Sequence, residues 1–176
     1  RCSMMNFRTK LLKLVTKDTL AITPFFREGA THRPHCLIIN KNKEIVELQV
    51  PPVKVMEELA QVFDESLNHL MLSYSKKILC NQKSPIALLM VQKLKHHIFF
   101  PTLSTENPQN YWISFDNYIR HRYIPSLNMT NIQFVDGSSI LVPASQSIIQ
   151  RQITYAASLS NLIRHKESKN IGIFTI

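Results

Sequence analysis

CLIINKNKEIVELQVPP, residues 36–52, decides the fold class. Cys36 to Ile39 is a short apolar run rich in β-branched residues. From Ile45 to Val50 the pattern alternates. Val46, Leu48 and Val50 take one face, Glu47 and Gln49 the other. The intervening Asn40-Lys41-Asn42-Lys43 has turn chemistry, so 36–50 reads as an antiparallel hairpin. Pro51-Pro52 stops the sheet. The period then changes. Met56, Leu59, Ala60, Phe63, Leu67, Leu70, Met71 and Tyr74 recur at spacings of three and four, the stripe of one core-facing helix. Glu57, Glu58, Asp64 and Glu65 precede Lys76 and Lys77, an order that suits the helix dipole.

Outward from this segment, Lys10 to Thr16, Ile86 to Val91 and His97 to Phe100 read as further strands. Asn131 to Val135, Asp136-Gly137 and Ser139 to Val142 form a hairpin signal. Ser145 is a candidate N-cap for a second long helix, striped by Ile149, Ile153, Ala156, Leu159 and Ile163. The sum is an α+β fold: a largely antiparallel sheet of about seven strands with two long amphipathic helices. No linker or repeat interrupts it, so residues 5–176 read as a single domain. The opening Arg-Cys-Ser-Met reads as a cloning remnant before a native start at Met4 or Met5.

With 44% hydrophobic and 19% charged residues, 176 positions suffice for a real core and argue against long disorder. The three glycines, Gly29, Gly137 and Gly172, lie far apart, which excludes a P-loop and a dinucleotide fingerprint. Cys2, Cys36 and Cys80 show no C-x-x-C spacing and read as reduced thiols of a cytoplasmic protein. No apolar run approaches the ~20 residues of a membrane helix, so no membrane partner is expected.

A net charge of +9 points to a polyanionic partner, or to solubility alone. No acid occurs between Glu65 and Glu106, or between Asp136 and Glu167, and Arg120-His121-Arg122 lies between these stretches. Folded onto one face, they would form a surface that a phosphate backbone selects. Phe99, Phe100, Tyr111, Trp112, Phe115, Tyr118 and Tyr123 cluster in the same region. They read as a base-stacking platform or as core, with core preferred for Phe99, Phe100 and Trp112.

Enzymatic chemistry is weakly signalled. There is no G-x-S-x-G elbow, and four aspartates place no triad. His32-Arg33-Pro34-His35-Cys36 offers metal-capable side chains, but it reads more simply as a loop entering a strand. Glu44, Glu47 and Gln49 admit a metal-dependent nuclease, against the plainer reading of a solvated strand face. No cofactor and no metal is expected.

HHIFFPTLSTENPQNYWIS, residues 96–114, resembles the ComK family of competence transcription factors from low-GC Gram-positive bacteria. The family's F-P-T-x-S type motif is matched by Phe100-Pro101-Thr102-Leu103-Ser104. Its following proline and W-I-S strand are matched by Pro108 and Trp112-Ile113-Ser114. Lys83-Ser84-Pro85-Ile86 is similar to a K-P-P-I type segment. Ile132 to Val142 is similar to the family hairpin, with Phe134 and Gly137 in register. The helix after Ser145 carries Gln150 and Gln152 where the family has a polar S-x-x-x-Q stretch. The resemblance covers about residues 80–165 in order; the first 75 match in outline only.

The resemblance implies a non-enzymatic DNA-binding activator of DNA-uptake and recombination genes. It implies double-stranded promoter DNA as partner, in AT-rich paired boxes read largely through the minor groove. It also implies a homodimer or higher homo-oligomer, removed by an adaptor and an ATP-dependent protease. The family's glycine-rich basic stretch corresponds to Leu70–Lys77. Ser73, Tyr74, Lys76 and Lys77 persist there and both glycines are absent, which implies altered docking or weaker binding. Ile171 to Ile176 stands where relatives carry a further tail, and is expected to be its remnant or a cut end. Ser73, Tyr74, Lys76, Lys77 and Lys83, with Thr102 and Ser104, are the DNA-binding residues the resemblance implies. For Thr102 and Ser104 a turn-holding role is equally expected. Charge placement adds Arg120, Arg122, Arg151 and Arg164. A partner-binding domain with only non-specific DNA affinity is the remaining alternative.

Overall fold

A computed structural model of the chain describes residues 2–28, 33–61, 66–79, 89–91 and 97–172. Its order is α1 (Cys2–Leu14), β1 (Thr19–Phe25), β2 (His35–Asn40), β3 (Ile45–Leu48), α2 (Pro52–Ala60) and α3 (Leu67–Leu79). Then come β4 (Leu89–Val91), β5 (His97–Pro101), β6 (Trp112–Ser114), β7 (Tyr118–Ile124), β8 (Met129–Phe134), β9 (Ser139–Val142) and α4 (Gln146–Gly172). The α+β class and the antiparallel character both stand. The strands form a six-stranded sheet, β3-β2-β1-β6-β5-β4, and a three-stranded sheet, β7-β8-β9.

The hairpin 36–50 forms as the alternation requires. Cys36 pairs with Leu48 and Ile38 with Val46. Asn42 takes the left-handed conformation at the turn, with φ 62°. β1 is buried on both faces and lies centrally. Pro24 is tolerated there because β6 pairs only with Ala21 and Ile22, leaving β1 a single partner strand at Pro24.

Two expectations are corrected. Lys10 to Thr16 is not a strand; it runs through the end of α1. Phe7, Leu11 and Val15 lie four apart and turn inward, a helical rather than a two-residue period. The single helix expected over 56–74 is two. Pro52 opens α2 at its first turn, a position that needs no backbone N–H. α2 ends at Ala60 and α3 begins at Leu67, with Phe63 outside the described residues. The apolar stripe continues across the break because both helices bury the same side: Met56 and Leu59, then Leu70 and Met71.

Glu58 is buried and receives two bonds from the Arg8 guanidinium, at 3.3 and 3.2 Å, tying α1 to α2. Ser145 caps α4 as expected, its Oγ accepting the Ile148 N–H at 3.4 Å. The Gln152 amide donates to the Pro101 carbonyl at 3.1 Å and docks α4 on β5. Phe99, Phe100 and Trp112 are fully buried and belong to the core. One hydrophobic cluster unites α1–α4, the large sheet and the inner side of the small one, through Ile132, Phe134 and Val142. Among the described residues no helix is long and apolar enough to cross a membrane.

Candidate nucleic-acid interface

The small sheet turns one face to the core and the other to solvent. β8 alternates strictly: Thr130, Ile132 and Phe134 are buried, while Met129, Asn131 and Gln133 are half-exposed. Register then fixes what stands beside them. Arg120 pairs with Gln133 and Arg122 with Asn131 on one side; Ser139 pairs with Gln133 on the other. Residues directly opposite share a face. Arg120, Arg122, Asn131, Gln133 and Ser139 therefore meet on the outer face, around a shallow hollow of about 540 Å³ that His121 also lines. None of these six side chains is acidic.

The face is organised locally. The Arg120 Nε–H donates to Gln133 Oε1, which aims the guanidinium along the sheet. His121 pairs with Ile132, and its Nδ1 lies 2.7 Å from the Tyr118 hydroxyl. Burial lowers the His121 pKa and raises that of Tyr118. The hairpin closes through Asp136, whose carboxylate accepts from the Ser138 N–H and hydroxyl, and through Gly137 at φ +83°. The Gly137 N–H reaches the Phe134 carbonyl and the Phe134 N–H the Ser138 carbonyl, a three-residue loop in which glycine supplies the left-handed position.

A second basic surface lies on α3. His69, Leu72, Ser73, Lys76 and Lys77 line an open hollow of about 330 Å³. Lys76 and Lys77 are exposed and Ser73 is half-buried. The two hollows share no lining residue. The side chain of Tyr74, and Lys83 altogether, lie outside the described residues. Arg151 and Arg164 are both exposed on α4. Thirteen residues apart, they stand about 20 Å from each other along the axis and about 220° around it, so α4 presents no joint face for them.

Of the two roles expected for Thr102, its geometry matches the turn-holding one. The residue is fully buried, its Oγ1 accepts the Tyr111 N–H at 3.1 Å, and its own N–H reaches the Asn110 Oδ1 at 3.0 Å. The hydroxyl holds the loop and is not presented to a ligand. Ser104 is exposed, and its carbonyl accepts the Asn107 N–H at 2.9 Å.

The carboxylates considered for a nuclease are engaged otherwise. Arg27 donates to both Glu47 oxygens at 2.8 Å, and His35 Nδ1 lies 2.8 Å from one of them. Hydrogen bonds from Arg27 and then His35 hold the Glu47 carboxyl down at about 2. Glu44 accepts from the Asn40 amide at 3.3 Å. Cys36 sits in the core, where burial pushes its thiol up to about 12, so it is no ready thiolate ligand. Among the described residues no three His, Cys, Asp or Glu side chains are grouped to hold a metal ion.

A basic, amide-flanked outer sheet face is thus combined with the loop and hairpin that carry the F-P-T-x-S and D-G motifs. Residues 11–168 match the model of the ComK protein family. The chain belongs to the ComK family. The match reaches well upstream of residues 80–165, where the motifs are legible by eye, and takes in α1's end, the first hairpin and α2. ComK proteins are competence transcription factors, and membership carries that coarse role. Searches of curated proteins and of solved structures each found no match.

Proposed function

We propose that this ComK-family chain is a sequence-specific DNA-binding activator of competence genes, acting in the cytoplasm without catalysis. Its sites are AT-rich paired boxes, read largely through the minor groove. The observation that carries this reading is the outer face of β7-β8-β9. There two arginines, two amides and a hydroxyl lie side by side with no carboxylate. Arg, Asn and Gln are the side chains that read the minor groove's width and its acceptors. A-tracts narrow that groove and deepen its negative potential, which draws arginine in. Antiparallel strands are also a known reading element. Lys76 and Lys77 on α3 supply a second, sequence-independent contact to phosphates.

A fluorescence-anisotropy titration at physiological salt tests this. It compares a duplex carrying two A-run/T-run boxes with a GC-rich duplex of equal length, with and without Mg²⁺. Preference for the boxed duplex by ~10³-fold or more, with DNA left intact, is the expected result. Equal binding to both would leave only non-specific attraction to the +9 charge. DNA consumed only with Mg²⁺, and spared in Glu47→Ala, would instead establish a nuclease.

A further inference from the structure

We propose that the tip of the β7–β8 hairpin is an apolar wedge, with Leu127 entering the base stack from the minor groove. The inference deepens the DNA-binding reading and rests on it. The outer face of the small sheet changes chemistry along its length. Arg120 pairs with Gln133 and Arg122 with Asn131. Two residues further on, Ile124 pairs with Met129 on the same face. The turn beyond, Pro125–Leu127, is exposed throughout, with Leu127 itself 53% exposed. Ile124, Leu127 and Met129 all lie outside the hydrophobic core cluster. From Tyr123 to Asn131 the chain carries no charged residue. A face that begins with two guanidinium groups and two amides therefore ends in an uncharged, apolar tip.

The tip is fixed in place. Asn128 takes the left-handed conformation at φ 50°, and its N–H reaches the Pro125 carbonyl at 3.2 Å. Its Oδ1 accepts the Tyr123 hydroxyl at 2.7 Å, which ties the turn back to β7. A turn held in this way loses little further freedom on binding. A single exposed leucine is ordinary on a protein surface. Here it closes a fixed turn at the end of a basic ribbon, with Ile124 and Pro125 beside it. Ile124 lies roughly 7 Å beyond Arg122 along the strand. Arginines drawn into the minor groove would therefore set the tip against the neighbouring base step. Leucine and proline are among the side chains that wedge between such steps and partly unstack them. DNA presents the anionic backbone and the apolar base face at this separation. A protein partner would need carboxylates for both arginines directly beside an apolar socket. A-tracts are stiff and pyrimidine–purine steps unstack easily, so the wedge belongs at a flexible step beside an A-run, not within it.

A scan with the fluorescent base 2-aminopurine tests this on the full chain. The probe replaces one adenine at a time, on either strand, across an AT-rich boxed duplex saturated with protein. Its emission rises when its neighbours unstack. The wild-type chain should raise emission at a flexible step flanking an A-run. Leu127→Ala should lose that rise and keep the wild-type salt dependence. Its affinity should change by less than about tenfold, because apolar burial and the cost of unstacking offset each other. Leu127→Met should keep the rise. A bound duplex with no rise at any position, or a rise undiminished in Leu127→Ala, would overturn the wedge and leave the DNA reading standing. A flattened salt dependence in Leu127→Ala would overturn it too, since the tip would then serve the phosphate contacts. A wild-type chain that binds no duplex would overturn both readings together.

Discussion

His97 Nε2 and Ser114 Oγ lie 2.6 Å apart with both residues buried. Ser114 Oγ also accepts from the Asn117 backbone N–H at 3.2 Å and from its Nδ2 at 3.1 Å. The hydroxyl proton is therefore directed at His97, whose Nε2 must be unprotonated to receive it. The Asp116 carboxylate lies 3.8 Å from Nδ1, and Ser114 is fully buried among the described residues, which suits a structural rather than a catalytic group. The group is structural: Asn117 Nδ2 also donates to the carbonyls of Lys17 and Thr19, at 2.9 and 3.0 Å, and its own carbonyl accepts the Val135 N–H. It pins the two sheets to each other.

Acid should weaken this pin. Burial holds the His97 pKa below its ordinary 6.5, with the Asp116 charge offsetting only part of that. Below about 6.5 the unfolded chain takes up a proton that the folded chain resists, so stability rises with pH through this window. Urea unfolding between pH 5 and 8 should show stability intact above about 6.5 and declining beneath it. His97→Gln should remove most of that slope. His121, also lowered by burial, should contribute in the same direction, so the double variant should be flatter than His97→Gln alone. A wild-type stability unchanged from pH 8 to 5 would refute the assignment.

The outer sheet face makes a separable prediction. Each phosphate-contacting arginine contributes about one unit to the dependence of log K on log salt. Arg120→Ala and Arg122→Ala should each flatten that dependence by about one unit, and the pair by about two. Gln133→Ala should act differently. It removes a groove-facing amide and the partner of the Arg120 Nε–H, so preference for the AT-rich duplex should fall more than total affinity. Anisotropy titrations at several salt concentrations check both.

How much of this could be read beforehand depends on range. The hairpins 36–50 and 131–142 were legible because alternation and turn residues are local. α4 was legible because Ser145 and an apolar stripe declare it. The end of α1 was not, since Leu11, Leu12, Leu14 and Val15 within Lys10–Thr16 satisfy either a strand or a helix pattern when taken alone. The break between α2 and α3 was hidden by a stripe that both helices continue. Arg120 and Arg122 announced themselves by charge. Asn131, Gln133 and Ser139 did not. Their signal was the strict alternation opposite Ile132 and Phe134, but only the β7–β8 register, set by tertiary pairing, places them beside the arginines.

Lys76 and Lys77 lie on a surface apart from that face, so their loss should be additive with it. Lys76→Ala with Lys77→Ala should flatten the salt dependence by roughly two units. The Lys76 and Lys77 contacts are ionic and sequence-blind, so the ratio between AT-rich and GC-rich duplexes should stay unchanged in this variant. A salt dependence equal to that of the wild-type chain would remove α3 from the interface.

Thr102→Val separates loop architecture from recognition. The substitution keeps shape and deletes the hydroxyl that accepts the Tyr111 N–H in a buried turn. A buried donor left without its acceptor costs about 1–3 kcal/mol. Denaturant unfolding should register that loss as a lower midpoint with an unchanged slope. DNA affinity and its salt dependence, measured well below the unfolding midpoint, should match the wild-type chain. Asn110 Oδ1 still receives the Thr102 and Leu103 N–H groups at 3.0 Å each, so the loop keeps its path. A variant of native stability that binds DNA more weakly would return Thr102 to the interface and would require the 101–110 loop to open on DNA.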